Sequence, residues 1–234
     1  MNALLLQASR GLSGRADWSV KMSDRLWIFD LDNTLHDATP HIFPHINRSM
    51  TASLQQHLQL DAVAANDLRI AYWQRYGATL SGMMRHHATD PGHFLWHTHQ
   101  FPDLENMVLC EPRLRHVLKN LPGKKVLFSN APQHYAHAVL ALLRIGDLFD
   151  EVMAVEHTGY RPKPHAFGFL RLMKRHKVRA AQCVMVEDSL ENLRTAKKLG
   201  MRTVWINAGL QNVACVDVKI RDVMRLRQVL HRLS

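Results

Sequence analysis

The chain has 234 residues and a mass of 26.9 kDa, room for one large domain or a core domain with a smaller companion. A composition of 47% hydrophobic and 21% charged residues excludes wholesale disorder, and no run approaches the ~18–20 apolar residues of a membrane span. Lys and Arg number 30 against 20 Asp and Glu, but these cations are dispersed apart from short clusters such as Lys219, Arg221, Arg225 and Arg227. That pattern describes a solvated basic surface, with attraction of a small anionic substrate as a second reading, and no nucleic-acid partner is expected. Three scattered cysteines, Cys110, Cys183 and Cys215, form no CxxC pair, so a disulfide framework and a zinc ribbon are disfavoured and a cytoplasmic setting is expected.

Residues 1–22 read as an N-terminal extension expected to be disordered. The apolar stretch Met1 to Gln7 precedes Arg10, Arg15 and Lys21, which is the reverse of a secretory signal. Met22 stands just ahead of the first apolar run, Arg25 to Phe29, which ends at Asp30. Similar runs follow at Lys125–Phe128, Glu151–Val155, Cys183–Val186 and Arg202–Ile206. Continuous apolar runs of this length suit strands buried on both faces, as in a parallel sheet.

Helical periodicity separates them. Gln133–Ile145 carries Tyr135, Val139, Leu142 and Leu143 on one face, and Pro164–His176 carries Phe167, Leu170 and Leu172. Leu190–Leu199 ends against Gly200, a C-terminal cap. Strands alternating with helices predict a doubly wound, mostly parallel α/β sheet, with ligands at the carboxyl ends of its strands. Between the first two strands lies a stretch too long for a crossover. Helices are predicted over Pro44–Leu58, over Ala62–Tyr76 and in a shorter segment after Thr79. The expected organisation is a core of residues 23–38 and 111–234 with an inserted helical cap over 39–110, and Pro112–Asn120 returning as a core helix.

The strand ends carry the chemistry. Asp30-Leu31-Asp32-Asn33-Thr34 places two carboxylates at i and i+2. Like charges so close need a cation or a shared proton, and a hard divalent ion such as Mg²⁺ suits oxygen ligands. Phe128-Ser129-Asn130 offers a hydroxyl, an amide and helix-start N–H groups to an oxyanion. Arg161-Pro162-Lys163-Pro164 places a lysine in a stiff loop, and Val186-Glu187-Asp188-Ser189 supplies a second acidic pair.

This order of motifs resembles the haloacid dehalogenase-like hydrolase superfamily over about residues 25–210. The resemblance implies a Rossmann-like core and an aspartyl-phosphate mechanism. Asp30 would be the nucleophile and Asp32 the general acid, then the base. Thr34, Ser129 and Lys163 would surround the phosphoryl group. Asp30, the backbone carbonyl of Asp32, and Asp188 would hold Mg²⁺, with Glu187 in or near that shell. Haloacid dehalogenases lack the second acid, present here as Asp32. Phosphonatases use a cap lysine, and no lysine lies between Lys21 and Lys119. A phosphomonoesterase remains, with a phosphomutase as a relative.

Tyr72-Trp73-Gln74-Arg75-Tyr76-Gly77, Thr79-Leu80 and Gly82 are similar to a segment of the pyrimidine 5′-nucleotidase branch, as are His86, Asp90, Phe94 and His97. His134, Gly146 to Asp150, Tyr160 and the segment Glu187 to Leu193 agree with it. His36 departs from it, since tyrosine is frequent there. The resemblance implies a small phosphorylated substrate, a nucleoside 5′-monophosphate with UMP and CMP first, and puts Arg75 and Tyr76 on the substrate list. Aromatic rings can stack a base, although Tyr72, Trp73 and Tyr76 at helical spacing also suit a cap core. The alternatives are a sugar-phosphate phosphatase or phosphomutase, and an idle basic binding protein. Most of the 16 histidines fall between His36 and His116. His93, His97 and His99, or His86 with His87, have metal-ligand spacing, but without Cys or acidic partners they read as surface and cap-interface groups.

Overall fold

The computed structural model describes residues 21–233. The disorder expected over residues 1–22 therefore falls mostly outside the described residues. Met22 itself opens a short 3-10 turn, Met22–Asp24, and packs half-buried against the core.

Six parallel strands form one sheet: β1 (Leu26–Phe29), β2 (Lys124–Phe128), β3 (Glu151–Met153), β4 (Cys183–Glu187), β5 (Arg202–Ile206) and β6 (Val218–Ile220). Their order is β3-β2-β1-β4-β5-β6, so the chain reverses its winding direction at β1. Every residue of β1 is buried, because helices cover both faces of the sheet. Alternation decides which layer each residue joins. Trp27, Phe29, Leu127, Val184 and Val186 pack with Leu118 of α6 (Leu114–Lys119), with Tyr135 and Val139 of α7 (Gln133–Leu142), and with Leu226. Leu26, Ile28, Phe128 and Met185 pack with Phe169 and Leu172 of α8 (Ala166–His176) and with Leu193 and Ala196 of α9 (Leu190–Lys198). The buried face of α8 is thus Phe169 with Leu172, and Leu170, expected on that face, is 49% exposed. The close approach of Gly168 to the Phe128 ring sets this rotation, since a Cβ there would lie 2.4 Å from that ring.

Between β1 and β2 the chain forms α1 (Ile42–Leu58), α2 (Ala62–Tyr76), α3 (Thr79–His87), α4 (Pro91–Thr98) and the single turn α5 (Leu104–Met107). The start of α2 is fixed by Asp61, whose side chain accepts a hydrogen bond from the Ala64 N–H, and its end by Gly77 at φ 78°. Asp90 caps α4 in the same way, accepting from the His93 N–H, with Pro91 in the first turn. Leu54, Ala65, Leu80, Met83, Phe94 and Leu95 form a separate small core. Val155 and Tyr160, from the segment after β3, pack into it and join these helices to the sheet layer. Phe101, Leu104, Met107 and Val108 pack instead with the β1 side of the main core.

Candidate active site

The carboxyl ends of β1, β2 and β4 lie side by side. Phe29 stands opposite Leu127 and Val186, and the Asp30 N–H continues the ladder to the Val186 carbonyl at 3.0 Å. The register therefore brings Asp30, Ser129 and Glu187 to one edge. Asn33 sits in the left-handed region at φ 61°, a conformation Asn tolerates. Its Oδ1 accepts from the Ala38 N–H at 2.9 Å and the Thr39 hydroxyl at 3.1 Å. That turn folds Thr34 back, and its hydroxyl reaches Oδ2 of Asp30 at 3.4 Å.

Lys163 is the hub. Its ammonium donates to Asp30 Oδ1 at 2.6 Å, to Glu187 Oε2 at 2.8 Å and to the Phe128 carbonyl at 2.7 Å, so all three of its hydrogens are used. The residue is 2% exposed. Burial alone would lower its pKa, but the Asp30 and Glu187 carboxylates outweigh that and raise it. Asn130 holds the lysine loop. Its Oδ1 accepts from the Lys163 N–H at 2.7 Å and its amide donates to the Lys163 carbonyl at 3.0 Å. The amide that sequence offered to an oxyanion is thus spent on positioning Lys163. The Ser129 hydroxyl oxygen is likewise engaged, accepting from the Ala131 N–H at 3.0 Å.

Burial, with Glu187 beside it, lifts the Asp30 carboxyl to about 7 against the pull of Lys163. Burial also raises Glu187 and Asp188. One oxygen from each of Asp30, Glu187 and Asp188 lies within 4.8 Å of the others, and they are the only such group of three among the described residues. Three buried or half-buried carboxylates against one ammonium leave an excess of negative charge that a cation would neutralise. The donor set is all oxygen, which fits a hard divalent ion and not a thiophilic one.

The Asp32 side chain does not join this oxygen cluster. Its Oδ1 accepts from the Tyr135 hydroxyl at 2.6 Å and meets Nε2 of His36 at 3.0 Å. Burial and the Asp32 charge hold the Tyr135 hydroxyl firmly protonated. Sequence reasoning saw Tyr135 only as a core position and His36 only as a departure from a pattern. His36 lies one helical turn's spacing from Asp32, which was the available signal; Tyr135 lies 103 residues away, and nothing local marked it.

Arg75 and Tyr76 do not join this group. Tyr76 bonds His86 Nε2 at 2.6 Å and packs near Tyr72, while Arg75 and Arg85 lie over its ring. None of their hydrogen bonds or ring contacts reaches Asp30, Asp32 or Lys163. The histidine triplet does not converge either. The His93 and His97 rings are 4.2 Å apart on α4, but His99 is buried and turned to Tyr135 and His134. Trp96, 54% exposed, lies 4.9 Å from the His134 ring, one residue along α7 from Tyr135.

The chain belongs to the haloacid dehalogenase-like hydrolase family, whose model matches residues 25–200. It is similar to Phosphate metabolism protein 8 of Saccharomyces cerevisiae, 25% identical over 195 residues, a match covering 76% of this chain and 60% of that protein. The chain therefore spans less than two thirds of that relative. A Phosphoglycolate phosphatase of Pseudomonas putida is 24% identical over 208 residues, covering 83% of this chain and 74% of that one. Among solved structures, the HAD phosphatase from Thermococcus onnurineus superposes with a TM-score of 0.64 at 23% identity, over 88% of this chain and 97% of that chain. That likeness shows the fold. The family expected from the strand-end motifs is thus established, and nothing among these matches singles out its pyrimidine nucleotidase branch. No helix among the described residues is long and apolar enough to cross a membrane.

Proposed function

We propose that the protein is a Mg²⁺-dependent phosphomonoester hydrolase that works through a phosphoryl group carried on Asp30. The carrying observation is the buried junction in which the Lys163 ammonium bridges Asp30 at 2.6 Å and Glu187 at 2.8 Å, with Asp188 completing an oxygen cluster. Asp30, the Asp32 carbonyl and Asp188, with Glu187 adjacent, would hold the ion. When bound, it offsets the negative charge of carboxylates and phosphoryl oxygens.

An Asp30 oxygen attacks phosphorus as the ester P–O bond breaks. Asp32 gives its proton to the departing oxygen. Asp32 then takes a proton from water, whose oxygen attacks phosphorus and breaks the bond to Asp30, releasing phosphate. Lys163 keeps Asp30 oriented and balances charge while this happens. Thr34, at Asp30 Oδ2, and Ser129, at the β2 end, line the same edge. The helices α1–α4 act as a cap that selects the leaving group and sheds water.

For the substrate, the names of the bacterial relatives favour a small non-nucleotide phosphomonoester, such as a sugar phosphate or a phosphorylated hydroxy acid, over a pyrimidine nucleotide. The position of Arg75 and Tyr76 favours the same reading. A nucleoside monophosphate retains one supporting observation, the exposed Trp96 ring beside His134, which could stack a base. Free thiols at Cys110, Cys183 and Cys215 accord with the cytoplasmic setting proposed for it.

The test is phosphate release from 2-phosphoglycolate, sugar phosphates, UMP, CMP, AMP and p-nitrophenyl phosphate, with and without Mg²⁺. Metal-dependent turnover that is lost in Asp30→Asn is expected, with the small esters ahead of the nucleotides. Turnover of Asp30→Asn at the wild-type rate would remove Asp30 as nucleophile. A preference for UMP and CMP would restore the nucleotidase reading.

A further inference from the structure

Asp32 uses its two oxygens unequally. Oδ1 is met by both the Tyr135 hydroxyl and His36 Nε2, whereas no hydrogen-bond partner among the described residues reaches Oδ2. Both partners are themselves fixed. His36 is 6% exposed and Tyr135 is 1% exposed. The Tyr135 ring lies 5.2 Å from Phe101 and 5.9 Å from His99. His36 Nδ1 is buried without a partner. A hydrogen placed on Nδ1 alone would leave a buried N–H unsatisfied and set the bare Nε2 against a carboxylate oxygen. The hydrogen therefore sits on Nε2 and points at Asp32.

Resting on the phosphatase reading above, we propose that Tyr135 and His36 are positioning residues. They hold Asp32 by Oδ1, so that Oδ2 is the oxygen that hands the proton to the leaving group and later takes one from water. A carboxyl group accepts its proton on the oxygen not already occupied by two donors. Two donors from separate elements, one across the Asn33 turn and one on α7, also stop the carboxyl from rotating. Proton transfer needs its heavy atoms held within hydrogen-bond reach, so a freely turning carboxyl would spend much of its time misdirected.

The consequence is selective. An alkyl phosphate has a basic leaving oxygen that must be protonated, whereas p-nitrophenolate departs without help. The quantity to compare is kcat/KM, which covers the steps through the first phosphoryl transfer and omits hydrolysis of the phosphorylated enzyme. Tyr135→Phe keeps the ring and deletes one donor. It should lower the alkyl-to-aryl ratio of kcat/KM about tenfold, a fraction of the ~10²–10⁴ that general acid catalysis supplies. His36→Leu should shift the ratio in the same direction, and His36→Gln, which retains an N–H donor, should recover part of it. The two His36 variants carry the test alone if Tyr135→Phe melts below the assay temperature. Equal losses on alkyl and aryl esters, or no change in the ratio, would overturn the positioning role and leave the phosphatase reading intact. A folded wild-type protein inactive on every ester with Mg²⁺ would overturn both together.

Discussion

The ionised form of Asp30 is held at an energetic disadvantage by burial. Its carboxyl moves from an ordinary 3.8 up to about 7, chiefly through burial and then through Glu187. For an acid raised in the folded state, the native form binds the proton more tightly than the unfolded chain does. Stability associated with Asp30 is therefore present below about pH 4 and is lost as pH rises through about 7. Asp30→Asn removes the ionising group at almost constant volume. In chelator at pH 8 it should melt several degrees above wild type, with the gap closing toward pH 4 while turnover stays absent. A variant that melts below wild type at pH 8 would show that the Asp30–Lys163 pair outweighs the burial of the charge. The residues of this junction were legible in sequence because Asp30, Glu187 and Asp188 each end or follow an apolar run, and Lys163 lies between prolines. Tyr135 was not, because a core-facing periodicity describes where a ring packs and says nothing of where its hydroxyl goes. Arg75 and Tyr76 were placed by local pattern alone, and their partners turned out to be each other and α3.

At the scale of elements, the capped pieces were the readable ones. The bounds of α2 coincide with expectation because Asp61 and Gly77 mark both ends. The start of α4 has an equally clear signal in Asp90-Pro91, an N-cap carboxylate followed by a proline in the first turn. The strand β6 is three residues long and lies within a basic stretch, so its alternation of Val218 and Ile220 was too short to register. The ten-residue 3-10 run Val223–Arg232 showed in sequence only as a set of cations, although Val223 and Leu226 close the core. One element contact opposes helix propensity directly. Gly82 lies in α3 where a Cβ would stand 2.2 Å from Cγ and 2.6 Å from Cβ of Tyr72. Those atoms sit next to the α2 backbone and cannot swing aside. Intrinsic propensity would favour Gly82→Ala by about 1 kcal/mol, and overpacking opposes it by about 1–3 kcal/mol. The net effect should be a loss of stability in urea denaturation, accompanied by a shift of the Tyr72 and Tyr76 near-ultraviolet signals. A stabilised protein would mean that α2 and α3 separate freely.

Across the whole molecule, the segment that leaves α4 packs against α7, and His99 lies there. It is 6% exposed, its Nδ1 lies 3.2 Å from the Leu95 carbonyl, and its backbone oxygen bonds His134 at 3.2 Å. Burial lowers its pKa from 6.5 to about 4, with Asp32 pulling upward and His134 and His45 pushing downward. For a histidine lowered in the folded state, the unfolded chain takes up the proton first as pH falls. The stability that depends on neutral His99 is therefore complete above about 6.5 and drains away between about 6.5 and 4. The span corresponds to a ceiling of about 3 kcal/mol at the low end of that window. This makes the contact of the α4 exit with α7 an acid-sensitive point of the fold, with the Asp32 clamp beside it, since the same His99 ring packs on Tyr135. His99→Asn keeps a donor for the Leu95 carbonyl but no group that titrates near neutrality. It should start less stable at pH 7.5, having lost ring packing, and its melting temperature should then decline more gently than that of wild type from pH 6.5 to 4. Parallel declines for the two proteins would place the acid sensitivity elsewhere, whereas a shallower slope in the variant would locate it where the α4 exit packs on α7.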